Sequence, residues 1–338
     1  MKFLRCCLTI CILLSVAACA SGQAASIPTA RPGMLNAMSK PTQRAISAAT
    51  QDRPVLNPTA ASSLPSRPAA TEAMPLLTET PAAPPEPTPT LGPDGWKSLP
   101  VVPVVGETPR LIYQRGLELG NNAHAFSKVG DCGSTPAWFL GDFDRGPKYY
   151  RLGLHQDLEA VILEFQDSFD RTSLAAKAGF NASSVFTSLW ANRSQCEANE
   201  TPLACEYRVH RPIMAFIMLG TNDVYHQESF ETQMRSIIEF SIENGVIPIL
   251  STKADNEEGD GSINATIARL ALEYDIPIWN YWLAVQSLPD QGLQPDGVHI
   301  TWGPNRFDDP QAMLKGWPVR NLTALQTLDA VWRHVTGN

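Results

Sequence analysis

From Ala20 to Gly95 the sequence has no aromatic residue, and half of the chain's 28 prolines fall in the same span. A segment so poor in large apolar groups cannot bury enough surface to offset the entropy of ordering it. That excludes a packed domain there. The folded part is left to the roughly 240 residues that follow, enough for one substantial core. Positive charge is also scarce. The chain has 26 Lys and Arg against 34 Asp and Glu, a net charge of −8. With no basic stripe, nucleic acid is not an expected partner. Acidity of this size favours solubility and names no substrate. The histidines at His124, His155, His210 and His226 show no ligand spacing and read as surface or packed residues.

What is present begins with a targeting pattern. Lys2 and Arg5 precede an apolar run, Cys6 to Ala18, too short to span a bilayer as a permanent helix. The run ends in Val16-Ala17-Ala18-Cys19, which resembles the lipobox of bacterial lipoproteins; that resemblance implies acylation of Cys19. The alternative is an ordinary export signal cut at Ala18-Cys19-Ala20, an A-x-A site. Either way the expected location is extracytoplasmic, lipid-anchored to the cell envelope or secreted. The expected organisation is a signal segment over 1–19, a Pro/Ala/Ser/Thr-rich tether over 20–95 and one domain over 96–338.

Of the seven cysteines, Cys6, Cys7 and Cys11 lie in the signal segment. The domain keeps Cys132, Cys196 and Cys205. Outside the cytoplasm, two cysteines nine apart in a polar stretch suggest a Cys196–Cys205 disulfide, with two thiols as the alternative. Cys132 is then the odd one.

Strand and helix patterns alternate along the domain. Ala123–Val129, Ile213–Leu219, Val246–Leu250 and Ile276–Tyr281 read as strands. Pro248 argues against a central place for the third. Helical faces appear around Phe230–Ile238 (stopped by Asn244-Gly245), Ile263–Tyr274 and Leu322–His334. Residues 97–122 give no clear pattern. Strands alternating with helices of 10–15 residues predict a parallel sheet covered on both faces.

Three short motifs follow strand ends, where open α/β sheets hold their ligands. They are Gly130-Asp131-Cys132, Gly220-Thr221-Asn222-Asp223 and Asp296-Gly297-Val298-His299. A nucleophile needs a base within reach, and the base needs an orienting group. Asp and His three apart in a turn can be neighbours, so Asp296 can hold His299 Nδ1 and leave Nε2 facing a nucleophile. Asn222 offers an uncharged donor suited to a developing oxyanion.

In order and spacing these motifs resemble the SGNH (GDSL-like) hydrolases over roughly residues 120–338. The resemblance implies a flavodoxin-like three-layer α/β/α fold with a mainly parallel sheet. It places the nucleophile at Cys132, the triad pair at Asp296 and His299, and oxyanion donors at Asn222 and Gly179. It implies hydrolysis of carboxylic esters without a cofactor. The implied substrate is a small-molecule or glycan ester, and a monomer is expected. The departure is Cys132, where the family has Ser. The thiol reads as a working thiolate, as the mark of an inactive site kept for binding a glycan or other ligand, or as an inert buried side chain. Ser134 is a conceivable substitute nucleophile. Cys132, Asp296 and His299 could also be read as metal ligands, but no fourth ligand suggests itself.

Overall fold

The structure, a computed structural model, describes residues 92–338. The signal segment, Cys19 and nearly all of the expected tether lie outside the described residues. Close to the start of the described chain, Trp96 is buried and meets Trp282 edge-on at 4.8 Å, and its carbonyl accepts from Asn280 Nδ2.

The strands are β1 (Asn122–Gly130), β2 (Tyr150–Arg151), β3 (Pro212–Met218), β4 (Ile247–Ser251), β5 (Ile278–Trp279) and β6 (Asn305–Arg306). The helices are α1 (Thr108–Glu118), α2 (Glu159–Glu164), α3 (Pro202–His210), α4 (Gln227–Glu243), α5 (Ser262–Glu273), α6 (Tyr281–Val285) and α7 (Gly316–Thr336). The main sheet runs β1-β3-β4-β5, parallel throughout, and β2 pairs with β6 in a second, two-stranded sheet. Helices α1, α2 and α6 pack on α7, α4 and α5 pack on each other and on β4, and α3 packs on β1. The result is a three-layer α/β/α fold. Every residue of β3 is buried, which is why its sequence is a continuous apolar run rather than an alternating one. Phe126 of β1 meets Phe165, Phe169 and Phe216 edge-on at 5.0–5.9 Å and centres the core. Among the described residues no helix is long and apolar enough to cross a membrane.

Several local expectations are corrected. Pro248 does sit in an inner strand, opposite Ala215 of β3. The Leu250 N–H donates toward β5, to Pro277 O. Pro248, two residues earlier, shares that orientation, and β5 begins to pair only at Ile278. The missing N–H therefore leaves no ladder bond unmade. The strand expected over Ile276–Tyr281 is reduced to two residues, because Asn280 caps α6 by accepting from Leu283 N. The terminal helix begins six residues before Leu322, with Pro318 in its first turn. Helix α1 lies in the stretch that had no pattern.

Cys196 and Cys205 form a disulfide. Cys205 is buried in α3 rather than lying in a polar loop. Thr201 Oγ1 caps that helix by accepting from Ala204 N at 3.3 Å, and Pro202 opens it.

Strand β1 also carries polar residues into the interior. Ser127 Oγ, Arg171 Nη1 and Leu174 N all donate to the buried Glu206 carboxylate at 2.5–2.7 Å. Lys128 is fully buried, and its Nζ donates to Phe169 O at 2.7 Å. Burial, reinforced by the Arg171 charge, brings the Lys128 amine down to about 7 despite opposing carboxylates at Glu206, Asp144 and Asp170.

Candidate functional site

Strand β1 ends level with β3, Gly130 opposite Met218. The chain then enters a short 3-10 turn, Cys132–Ser134. Gly130 is required by space, since a Cβ there would collide with the Ser134 hydroxyl and the Met218 carbonyl. Asp131 Oδ1 accepts from the Gly133 N–H at 2.9 Å, and Thr135 Oγ1 donates to Cys132 O at 2.8 Å. Both bonds fix the turn. Cys132 is half-buried and takes no part in the disulfide. Ser134 is fully buried, and its hydroxyl makes no hydrogen bond among the described residues. A hydroxyl sealed beneath Gly130 cannot meet an external substrate, so Ser134 drops out as the alternative nucleophile.

Two further loops are stitched to this turn. Gly130 N donates to Ala175 O, and Lys177 N donates back to Gly130 O, both at 3.1 Å. This holds the loop containing Gly179, whose φ of +80° favours glycine. Gly179 is exposed, with open space where a side chain would be. Asn222 Nδ2 donates to Phe180 O at 2.9 Å, which uses one of the two amide N–H groups and sets the direction of the other. Asp223 accepts from Ala182 N at 2.9 Å and from Gly220 N at 3.0 Å, joining the Gly179 loop to the turn after β3. Burial pushes the Asp223 carboxyl up, and these backbone donors pull against it. Behind the turn, Thr221 Oγ1 and the buried Lys253 Nζ both donate to Asp255, at 2.7 and 2.6 Å.

The third loop carries Asp296 and His299. Asp296 Oδ2 lies 2.7 Å from His299 Nδ1, and Oδ1 accepts from the N–H groups of Val298 and His299 at 3.0 Å. Desolvation pushes the Asp296 carboxyl up, but the bonds to His299 and to the two backbone N–H groups outweigh it and hold it below its ordinary value. With Nδ1 facing a carboxylate, the neutral ring keeps its lone pair on Nε2. This loop is fixed to the start of α7, where Gly316 N and Trp317 N donate to Thr301 Oγ1 and O at 2.8 and 3.0 Å. Trp302, just beyond His299, is exposed.

One turn into α7, Arg320 returns to the first loop. Its Nη1 donates to Gly133 O at 2.7 Å. Burial pushes the Asp131 carboxyl up, while Arg320, the Gly133 N–H and His299 pull it down and Asp255 opposes them. Asp131, Asp255, Arg320 and His299 thus share one electrostatic neighbourhood. The structure brings the turn of Cys132, the loop of Gly179, the turn of Asn222 and the loop of His299 to the carboxyl ends of β1 and β3. Cys19 lies outside the described residues.

Arg320 was missed in the sequence. The signal was there: with Ala324, Leu328 and Val331 it falls on one stripe of α7, and an arginine in an apolar stripe asks for a buried purpose. The group that brings metal-binding side-chain types together within 4.8 Å among the described residues is Cys196, Glu200 and Cys205, whose two sulfurs are bonded to each other. Cys132, Asp296 and His299 do not form such a group.

No family model matches the sequence, and no curated protein matches it. Solved structures similar to the chain include a catalytic mutant of an acetylxylan esterase from Geobacillus stearothermophilus, at 13% identity. It matches over 62% of this chain and 95% of its own, with a TM-score of 0.39. Another is a GDSL-like lipase from Bacteroides thetaiotaomicron, at 16% identity over 65% of this chain and 97% of its own, with a TM-score of 0.36.

Proposed function

We propose that the domain hydrolyses carboxylic esters by acyl transfer through Cys132. The observation that carries this reading is the His299–Asp296 pair, locked at 2.7 Å on a loop whose histidine acts electrostatically on Asp131, the residue beside Cys132. Cys132 Sγ adds to the acyl carbon, and the carbonyl π electrons move to its oxygen. The oxyanion is met by the second Asn222 amide N–H and by the backbone N–H groups of Gly179 and Cys132. His299 Nε2 takes the thiol proton and passes it to the leaving alkoxide as the C–O bond breaks. A thioester remains on Cys132. Water then adds to it, giving its proton to His299, and the C–S bond breaks to release the acid and restore the thiol. Asp296 stays ionised throughout and stabilises the imidazolium.

The substrate class in this reading is a small-molecule or glycan ester met outside the cytoplasm, by a domain tethered to a membrane through acylated Cys19. Hydrolysis of p-nitrophenyl acetate by the full chain tests the chemistry. Turnover abolished by Cys132→Ala and by His299→Ala supports it. No turnover, and none gained with Cys132→Ser, contradicts it and leaves a non-catalytic binding cleft.

A further inference from the structure

Arg320 is a buried cation with an unusual setting. Its side chain is about nine-tenths enclosed, at 6% exposure. Its guanidinium carbon lies 4.8 Å from the ring centre of Phe139, 5.1 Å from Trp317, 5.6 Å from Tyr281 and 6.0 Å from Trp279. The ring faces are partial negative surfaces that hold a cation without neutralising it. Its two terminal nitrogens donate to uncharged atoms, Gly133 O and Met218 Sδ, and Nε makes no hydrogen bond among the described residues. The groups that act on Arg320 electrostatically are Tyr281, Asp131 and Cys132. Asp131 is the carboxylate best placed to cancel the charge, and burial works against its ionised form. A guanidinium stays protonated even when buried. The positive charge is therefore left facing the Cys132 turn.

We propose that Arg320 is a positioning residue which clamps the Cys132 turn and stabilises Cys132 as a thiolate once its proton has passed to His299. The inference rests on the proposed role of Cys132. It also gives the cysteine a physical reason. A thiol ionises near pH 8.5 unperturbed, and an adjacent cation lowers it against the burial that raises it, whereas a serine hydroxyl stays protonated. Other groups face the same turn. Asp131 and Asp255 oppose thiolate formation, His299 favours it when protonated, and neutral Tyr281 is without charge.

The test is the pH dependence of Cys132 alkylation by iodoacetamide in the full chain, read on the Cys132 peptide by mass spectrometry so that other thiols do not interfere. In the native chain the rate reaches half its plateau below about pH 7. In Arg320→Met the midpoint rises by about one pH unit or more, roughly a tenfold slower reaction at pH values well below both midpoints. Arg320→Lys restores part of the shift, and His299→Ala shifts the midpoint less than Arg320→Met does. Near-ultraviolet circular dichroism confirms that the variants fold. A native midpoint at or above about 8.5 overturns the proposal without any variant. So does an unchanged midpoint in a folded Arg320→Met chain. The outcome is separable from the hydrolase reading. A low, Arg320-dependent midpoint with no ester turnover keeps the proposal and removes the esterase; turnover with an ordinary midpoint does the reverse.

Discussion

The Asp296 carboxylate holds His299 Nδ1 at 2.7 Å and, through its other oxygen, the N–H groups of Val298 and His299 at 3.0 Å. One carboxylate thus sets both the ring and the backbone that carries it. Asp296→Asn keeps the shape of the side chain but can present a donor to Nδ1, favouring the wrong tautomer. The expected loss in kcat is on the order of 10³ to 10⁴, with a smaller change in KM. The pH dependence follows from the lowered carboxyl. Its support for the loop is complete above about pH 3.9, the ordinary carboxylate value, and is lost as pH falls through its own lower value.

Asn222 tests the oxyanion site separately. Its bond to Phe180 O aims the remaining N–H, so Asn222→Ala removes a donor that matters most when negative charge develops. The expected result is a kcat lower by about 10² to 10³ with little change in KM. A raised KM with kcat unchanged would assign Asn222 to substrate binding instead.

Much of this site was legible in the sequence because its parts are local. A turn after an apolar run, and an Asp and a His three residues apart, are set by neighbours along the chain. Gly130, Gly220 and the Asp296–His299 pair fall into that class. Arg320 does not: its partner Gly133 is 187 residues away, and nothing nearby in sequence says that a helix arginine will sit in a cage of four rings. The same limit applies to Pro248. Its place in an inner strand depends on where β5 starts to pair, which is a tertiary fact. Helix α3 could have been read from Thr201-Pro202, a cap followed by proline at the first helical position. It was hidden by the polar residues around the disulfide.

Lys128 gives a stability prediction with a definite sign. In the folded chain its amine titrates at about 7, whereas an unfolded lysine holds its proton to about 10.4. Between those values the unfolded state binds more protons, so this residue makes stability rise with pH across that window. Below it, the penalty for burying the charge is fully present. Lys128→Met should be the more stable chain at about pH 6 and should lose that margin toward pH 10, by at most about 1.4 kcal/mol per pH unit. Urea unfolding at a series of pH values measures it. A Lys128→Met chain with the same slope as the native one contradicts the assignment.

The Cys196–Cys205 disulfide closes a short loop that runs into the first turn of α3, the helix that carries Glu206 to β1. Replacing both cysteines by Ser should lower stability by roughly 2–3 kcal/mol through the freed loop. Ester hydrolysis per folded molecule should be unchanged, because neither sulfur belongs to the candidate site. Thermal unfolding and activity measured on the same sample separate the two effects.

The central claim is that the acyl group passes through Cys132, and trapping that intermediate tests it most directly. The full chain is mixed with p-nitrophenyl acetate, quenched in acid during turnover and digested. An acetyl group is expected on the Cys132 peptide, released by hydroxylamine as a thioester is, and absent from Cys132→Ala. Turnover that persists in Cys132→Ala, with no acetyl group on Cys132 in the native chain, would contradict it.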